Sequence, residues 1–152
     1  MTLSRSDRRL LIWFLVALII AMLPWVVLAQ APAKEKFHAH KPSEDMFGYT
    51  QTVKVGNTLY LSGITGKGPM NESIQGVYER IGKALEAAGA NFSHVVKENL
   101  YTTNLDEVKK YNEVRMKFYN GDHPAATWVQ VDRLFNPDYN LEVEVIAIID
   151  PK

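Results

Sequence analysis

The segment Leu141-Glu142-Val143-Glu144-Val145-Ile146-Ala147-Ile148 constrains the fold of this chain more than any other. It is strongly apolar and reads as a strand, in which successive side chains point to opposite faces. Glu142 and Glu144 therefore share a face with Ile146 and Ile148. Two carboxylates followed by two isoleucines fit a solvated strand end. They fit equally a half-buried cleft or subunit interface in which one carboxylate handles water or a proton.

Upstream, strand and helix signals alternate. Thr50–Val55 and Thr58–Ser62 are β-rich runs separated by Gly56-Asn57, a two-residue hairpin signal. After a loop containing Gly66, Gly68 and Pro69, the residues Ile74, Val77, Ile81, Leu85 and Ala88 recur at helical spacing. Asn71 or Ser73 is suited to cap that helix and Gly89 to stop it. His94–Thr102 reads as a third strand. Asn104 with Glu107 resembles a capping box, and Leu105, Val108, Tyr111, Arg115 and Phe118 lie on one stripe of a second helix ended by Asn120-Gly121. Ala125–Val131 is a fourth strand and Leu141–Ile149 a fifth. The order ββαβαββ predicts an α+β layer pair, one sheet with two helices on one face.

The N-terminus predicts an address. Arg5, Arg8 and Arg9 precede a nearly unbroken apolar run from Leu10 to Leu28, which reads as a signal peptide over residues 1–29 or as an uncleaved anchor. Two cleavage frames are visible, Val27-Leu28-Ala29 and Ala29-Gln30-Ala31. The second would leave Pro32 just beyond the cut, so cleavage after Ala29 is favoured. In either case the arginines stay inside and the domain is exported, periplasmic or otherwise extracytoplasmic, touching the membrane only through an uncleaved N-terminus. Residues 30–46 read as a polar linker with Pro32 and Pro42. His38 and His40 within it are read as solvated, with no carboxylate fixed beside them and no metal site implied. The remainder, residues 47–152, is one domain.

Whole-chain charge is balanced, 17 basic against 17 acidic residues, so the part beyond the N-terminal arginines is slightly acidic. That argues against a nucleic-acid partner. There is no cysteine, which excludes disulfides and thiolate chemistry.

Several segments together resemble one family. They are Tyr49-Thr50-Gln51, Gly56 through Gly63, Leu85-Glu86-Ala87-Ala88-Gly89, Val95-Val96-Lys97, Tyr111-Asn112, Pro124-Ala125, Val131-Asp132-Arg133-Leu134 and Glu142 through Ala147. Over about Tyr49 to Ile149 the sequence is similar to the RidA/YjgF enamine/imine deaminases. The resemblance implies a chorismate-mutase-like fold and a homotrimer with small-molecule clefts between subunits. It implies hydrolysis of reactive 2-imino acids and their enamine tautomers to 2-oxo acids and ammonia, without a cofactor. Positions matching the family's cleft are Tyr49, Ser62, Gly63 and Asn112 for substrate binding and Glu142 for catalysis.

One position departs from the pattern. The family's carboxylate-binding arginine stands two residues after the motif proline, and here Pro124-Ala125-Ala126-Thr127 puts Ala126 in that slot. Trp128 stands where many members have a small residue. A guanidinium fork donates two charge-assisted hydrogen bonds to a carboxylate, so its loss predicts a cleft suited to neutral or cationic molecules rather than the standard 2-imino acids. Two functions follow as expectations: hydrolysis of other small imines or enamines, and non-catalytic binding of a small ligand.

Overall fold

The computed structural model describes Ser6, residues 8–10 and 12–15, and residues 32–150. Met1–Ala31 and Pro32–Lys152 are separate compact units. In the first, the described residues are helical and exposed. Among the described residues no helix is long and apolar enough to cross a membrane. Most of the Leu10–Leu28 run and both cleavage frames lie outside the described residues.

The second unit is α+β. Its elements are β1 (Lys34–Phe37), α1 (Lys41–Phe47), β2 (Thr52–Val55), β3 (Thr58–Gly66), α2 (Met70–Ala87), β4 (Val95–Thr102), α3 (Leu105–Lys110), α4 (Asn112–Tyr119), β5 (Ala125–Gln130) and β6 (Leu141–Ile148). The six strands form one sheet in the order β1-β2-β3-β6-β4-β5. Only the β4–β5 pair is parallel.

From β2 onward the predicted ββαβαββ order is the observed one. The hairpin turns at Gly56 and Asn57 with Val55 opposite Thr58, and Gly56 takes φ +61°, a conformation glycine adopts without strain. Helix α2 buries Ile74, Val77, Tyr78, Ile81 and Leu85 along one stripe. Strand β6 buries Leu141, Val143, Val145 and Ala147 against it, each at most 2% exposed. Each fully buried Leu, Ile or Val among these contributes roughly 1.5–3 kcal/mol through apolar burial. The alternation in β6 thus sorts the strand: one face builds the core and the other carries Glu142, Glu144, Ile146 and Ile148.

Three details differ from expectation. Helix α2 starts after Pro69 without a side-chain cap, and Ser73 Oγ instead donates to Asn140 Oδ1 at 2.7 Å. The second predicted helix is broken at Tyr111 into α3 and α4, with φ −106° and ψ 17° at the break. The stretch read as a linker contains β1, paired to β2 from Lys34↔Val55 to Phe37↔Thr52, and α1. Its order comes from Glu44, which is fully buried. Glu44 Oε1 accepts from the backbone N–H of Ala39 (2.7 Å) and His40 (2.9 Å), and Oε2 from Gln51 N–H at 3.2 Å. His38 Nδ1 lies 2.6 Å from Oε2. A carboxylate does stand beside His38, brought there when α1 folds back over the chain entering it.

Candidate active site

Strand β6 carries Glu142 between Thr65 of β3 and Tyr101 of β4. Between Leu61 and Ile64 the β3–β6 register shifts, a bulge spanning Ser62 and Gly63 that sets Gly63 against the carboxylate. The absence of a side chain at Gly63 leaves room for the carboxylate. A Cβ on residue 63 would collide with Glu142 Oε1 and lie 2.8 Å from its Cδ and Cγ. Burial, and secondarily the neighbouring Glu144, raise the Glu142 pKa above the ordinary carboxylate value. Glu142 makes no hydrogen bond to any described residue, so its oxygens are free to accept from water. Glu144 is differently placed. It accepts from Asn99 Nδ2 at 2.8 Å and from Tyr101 OH at 3.4 Å.

Tyr49 and Gly63 both line a cavity of about 480 Å³. Ser62 Oγ donates to the Thr50 carbonyl at 2.8 Å, so its hydroxyl helps hold this wall together. Tyr49, Gly63 and, against Gly63, Glu142 therefore form one region, although neither Glu142 nor Ser62 lines the cavity itself.

Asn112, Ala126 and Trp128 belong to another. Ala126 pairs with Glu98 and Trp128 with Leu100 across the parallel β4–β5 ladder. Glu98 and Leu100 face the helices, whereas Asn99 and Tyr101, on the same strand, face the side of Glu144 and Glu142. Ala126 and Trp128 thus lie on the opposite face of the sheet from Glu142. Strands β6 and β4 stand between β3 and β5, placing these outer strands about 14 Å apart. Within one chain the two groups of residues do not converge.

The second region contains a buried cluster that sequence reading missed. Glu98 is fully buried. It accepts from Tyr78 OH (2.8 Å), Tyr119 OH (2.7 Å), Arg115 Nε (2.9 and 3.2 Å) and Trp128 Nε1 (3.1 Å). These donors fill the lone-pair positions of the carboxyl group, so Glu98 holds the cluster together. Burial and then Glu98 push the Tyr78 hydroxyl pKa well above its usual value, and Tyr119 is raised for the same reasons. Burial opposes the charge on Arg115, but Glu98, Tyr78 and Tyr119 together outweigh it and raise the pKa of the guanidinium. Asn112 lies one turn before Arg115 on α4, and its Oδ1 is buried without a hydrogen-bond partner.

A family model described as Endoribonuclease L-PSP, which covers the RidA/YjgF proteins, matches residues 40–149. The chain belongs to that family. A RutC family protein of Pyrococcus abyssi is 36% identical over 124 residues, covering 76% of this chain and 97% of that protein. A 2-iminobutanoate/2-iminopropanoate deaminase of Dermatophagoides farinae is 33% identical, covering 67% of this chain and 86% of the relative. A crystal structure of a YjgF-family protein from Mycobacterium tuberculosis superposes with a TM-score of 0.72 at 25% identity, covering 77% of this chain and 100% of that one. Family membership with deaminase-named relatives supports the imine deaminase family as the frame for this site.

Proposed function

We propose that the chain hydrolyses small reactive imines or enamines other than the standard 2-imino acids, in clefts between the subunits of a homotrimer. The observation that carries this reading is the Glu142 carboxyl, seated over Gly63, raised in pKa and without a hydrogen bond to any described residue. Water bound to it attacks the C=N carbon and Glu142 takes the proton that water gives up. The C–O bond forms as the C=N π pair moves to the protonated nitrogen, giving a carbinolamine. Glu142 then returns its proton to that nitrogen, the C–N bond breaks, ammonia leaves, and the hydroxyl proton passes back to Glu142 as the carbonyl product forms. The trimer supplies what one chain lacks, since Asn112, Ala126 and Trp128 of one subunit reach Glu142 only on another. Tyr60, Val129 and Ile148, each at least 40% exposed on the Glu142 face, fit coverage by a neighbour. We further propose that the domain is exported, on the strength of the Arg5/Arg8/Arg9 cluster and the Leu10–Leu28 run.

The test is a panel of imines generated in situ, with carbonyl release followed above the spontaneous rate. Wild type accelerates at least one neutral or cationic imine and Glu142→Gln does not. The acid limb of the pH–rate profile lies above the ordinary carboxylate value. Equal rates for wild type and Glu142→Gln refute the catalytic role. Tight ligand binding without hydrolysis establishes the second reading, a non-catalytic binder, which the alanine at position 126 favours.

A further inference from the structure

Replacement of the family's arginine by Ala126 removes a cation from β5, yet a guanidinium stands directly behind that position. Arg115 reaches Glu98, the residue registered opposite Ala126, and its Cζ lies 5.2 Å from the centre of the Trp128 ring. Asn112 shares its helix face at i, i+3 spacing. Asn112, Ala126 and Trp128, which stand at cleft positions of the family, thus lie near an arginine that is not one of those positions.

Two observations mark this arginine as more than a core ion pair. Only Nε is committed to Glu98, and Glu98 is also served by three neutral donors. Nη1 and Nη2 make no hydrogen bond to any described residue, and neither is sealed from solvent. A guanidinium fixed at Nε keeps two donors in a set direction for a planar acceptor. The second observation is Asn112 Oδ1, buried with no donor. A buried acceptor without a partner costs about 1–3 kcal/mol, a cost that an N–H of a bound molecule would relieve.

We propose that Arg115 and Asn112 form the acid-recognising half of the cleft, Arg115 donating to a ligand carboxylate and Asn112 accepting from a ligand N–H. Glu98 is the positioning residue that aims Arg115. The cation has moved from the strand to the helix layer, so the ligand's carboxylate sits farther from Glu142 than a 2-imino acid allows. The matching substrate is a small imine whose carboxylate is more remote from its C=N bond. This inference rests on the proposed intersubunit cleft and revises the expectation of a cleft without a cation.

The probe is 4-oxopentanoate, whose carboxylate is two carbons farther from its carbonyl than in a 2-oxo acid, titrated into the full chain by calorimetry, with uncharged 4-oxopentanamide as control. Glu98→Gln keeps the guanidinium and removes its counter-charge, so it binds the anion at least as tightly as wild type. Glu98→Gln with Arg115→Gln keeps the cluster neutral and binds it at least about tenfold more weakly. Binding of the amide is the same in all three. An ion pair that serves only the fold predicts the opposite: the double variant, once shown by circular dichroism to be folded, binds 4-oxopentanoate as well as Glu98→Gln does. That result, or no anion binding by wild type at millimolar probe, overturns the proposal. Should the double variant not fold, Arg115→Lys decides, since it keeps the charge but not the fork. Several-fold weaker anion binding is expected, and unchanged binding overturns the proposal. Anion binding that depends on Arg115 without any imine hydrolysis would defeat the deaminase reading and leave this one standing. Imine hydrolysis indifferent to Arg115 would do the reverse.

Discussion

The Glu142 carboxyl occupies the space that a side chain on residue 63 would need. Gly63→Ala therefore acts on catalysis through Glu142. The added methyl drives the carboxylate off the bulge, while the half-buried glutamate has room to swing toward solvent. Imine hydrolysis should fall by at least about tenfold while unfolding free energy changes by about 1 kcal/mol or less. A Gly63→Ala chain with wild-type rates would show that the seat over Gly63 has no catalytic importance.

Glu44 predicts a specific acid sensitivity. Burial alone would raise its pKa, but the hydrogen bonds from His40, His38, Gln51 and Ala39 outweigh burial and hold it at about 2, against an ordinary value of 4.5. The folded state thus resists protonation at Glu44. The resulting stability is present in full above the ordinary value and is lost as pH falls from there toward about 2. Denaturant titrations of wild type should show stability dropping across this window. In Glu44→Gln the drop should be smaller, with lower stability at neutral pH. An identical pH dependence in the two proteins would contradict the assignment.

The Glu98 cluster predicts an order of damage. Glu98→Ala leaves Arg115 buried without its partner, at a cost of about 3–5 kcal/mol. Tyr119→Phe removes one donor of several to the same carboxylate and should cost about 1.5–3 kcal/mol. Chemical denaturation measures both, and a Glu98→Ala protein as stable as wild type would mean that the buried pair does not hold α4 to the sheet.

Export has a direct readout. A reporter active only in the cytoplasm, fused after Lys152, should be silent when the full chain is expressed and should become active when residues 1–29 are deleted. Strong activity of the full-length fusion would place the domain inside the cell.

The parts of the fold legible in the sequence are those governed by local periodicity. The Gly56-Asn57 hairpin, the α2 stripe and the two-faced β6 strand are each written within a few consecutive residues. Strand β1 is short and carries Lys34, Glu35 and Lys36 exposed at the sheet edge, a pattern indistinguishable from a tether. Glu44 reads as one more solvated charge until His38, Ala39, His40 and Gln51 close around it. The Glu98 cluster was illegible for the same reason at longer range: Tyr78, Glu98, Arg115, Tyr119 and Trp128 come from five elements, and each alone is an ordinary residue. The division of the candidate site positions between two faces of the sheet was also hidden, because motif matching carries no information about the face on which a residue lies.

The central claim is that Glu142 drives imine hydrolysis in a cleft whose substrate range is limited at position 126. Its most direct test is the rate of 2-oxobutanoate release from enzymatically generated 2-iminobutanoate, compared among wild type, Ala126→Arg and Ala126→Arg with Glu142→Gln. Wild type should be near the spontaneous rate, since its cation stands in the helix layer. Ala126→Arg should rise above it by about tenfold or more, as a bidentate fork on β5 brings the carboxylate back into reach of Glu142. Adding Glu142→Gln should return the rate to background, because an amide cannot accept the proton that water gives up. A wild type already fast on 2-iminobutanoate, or an Ala126→Arg gain that survives Glu142→Gln, would contradict the account.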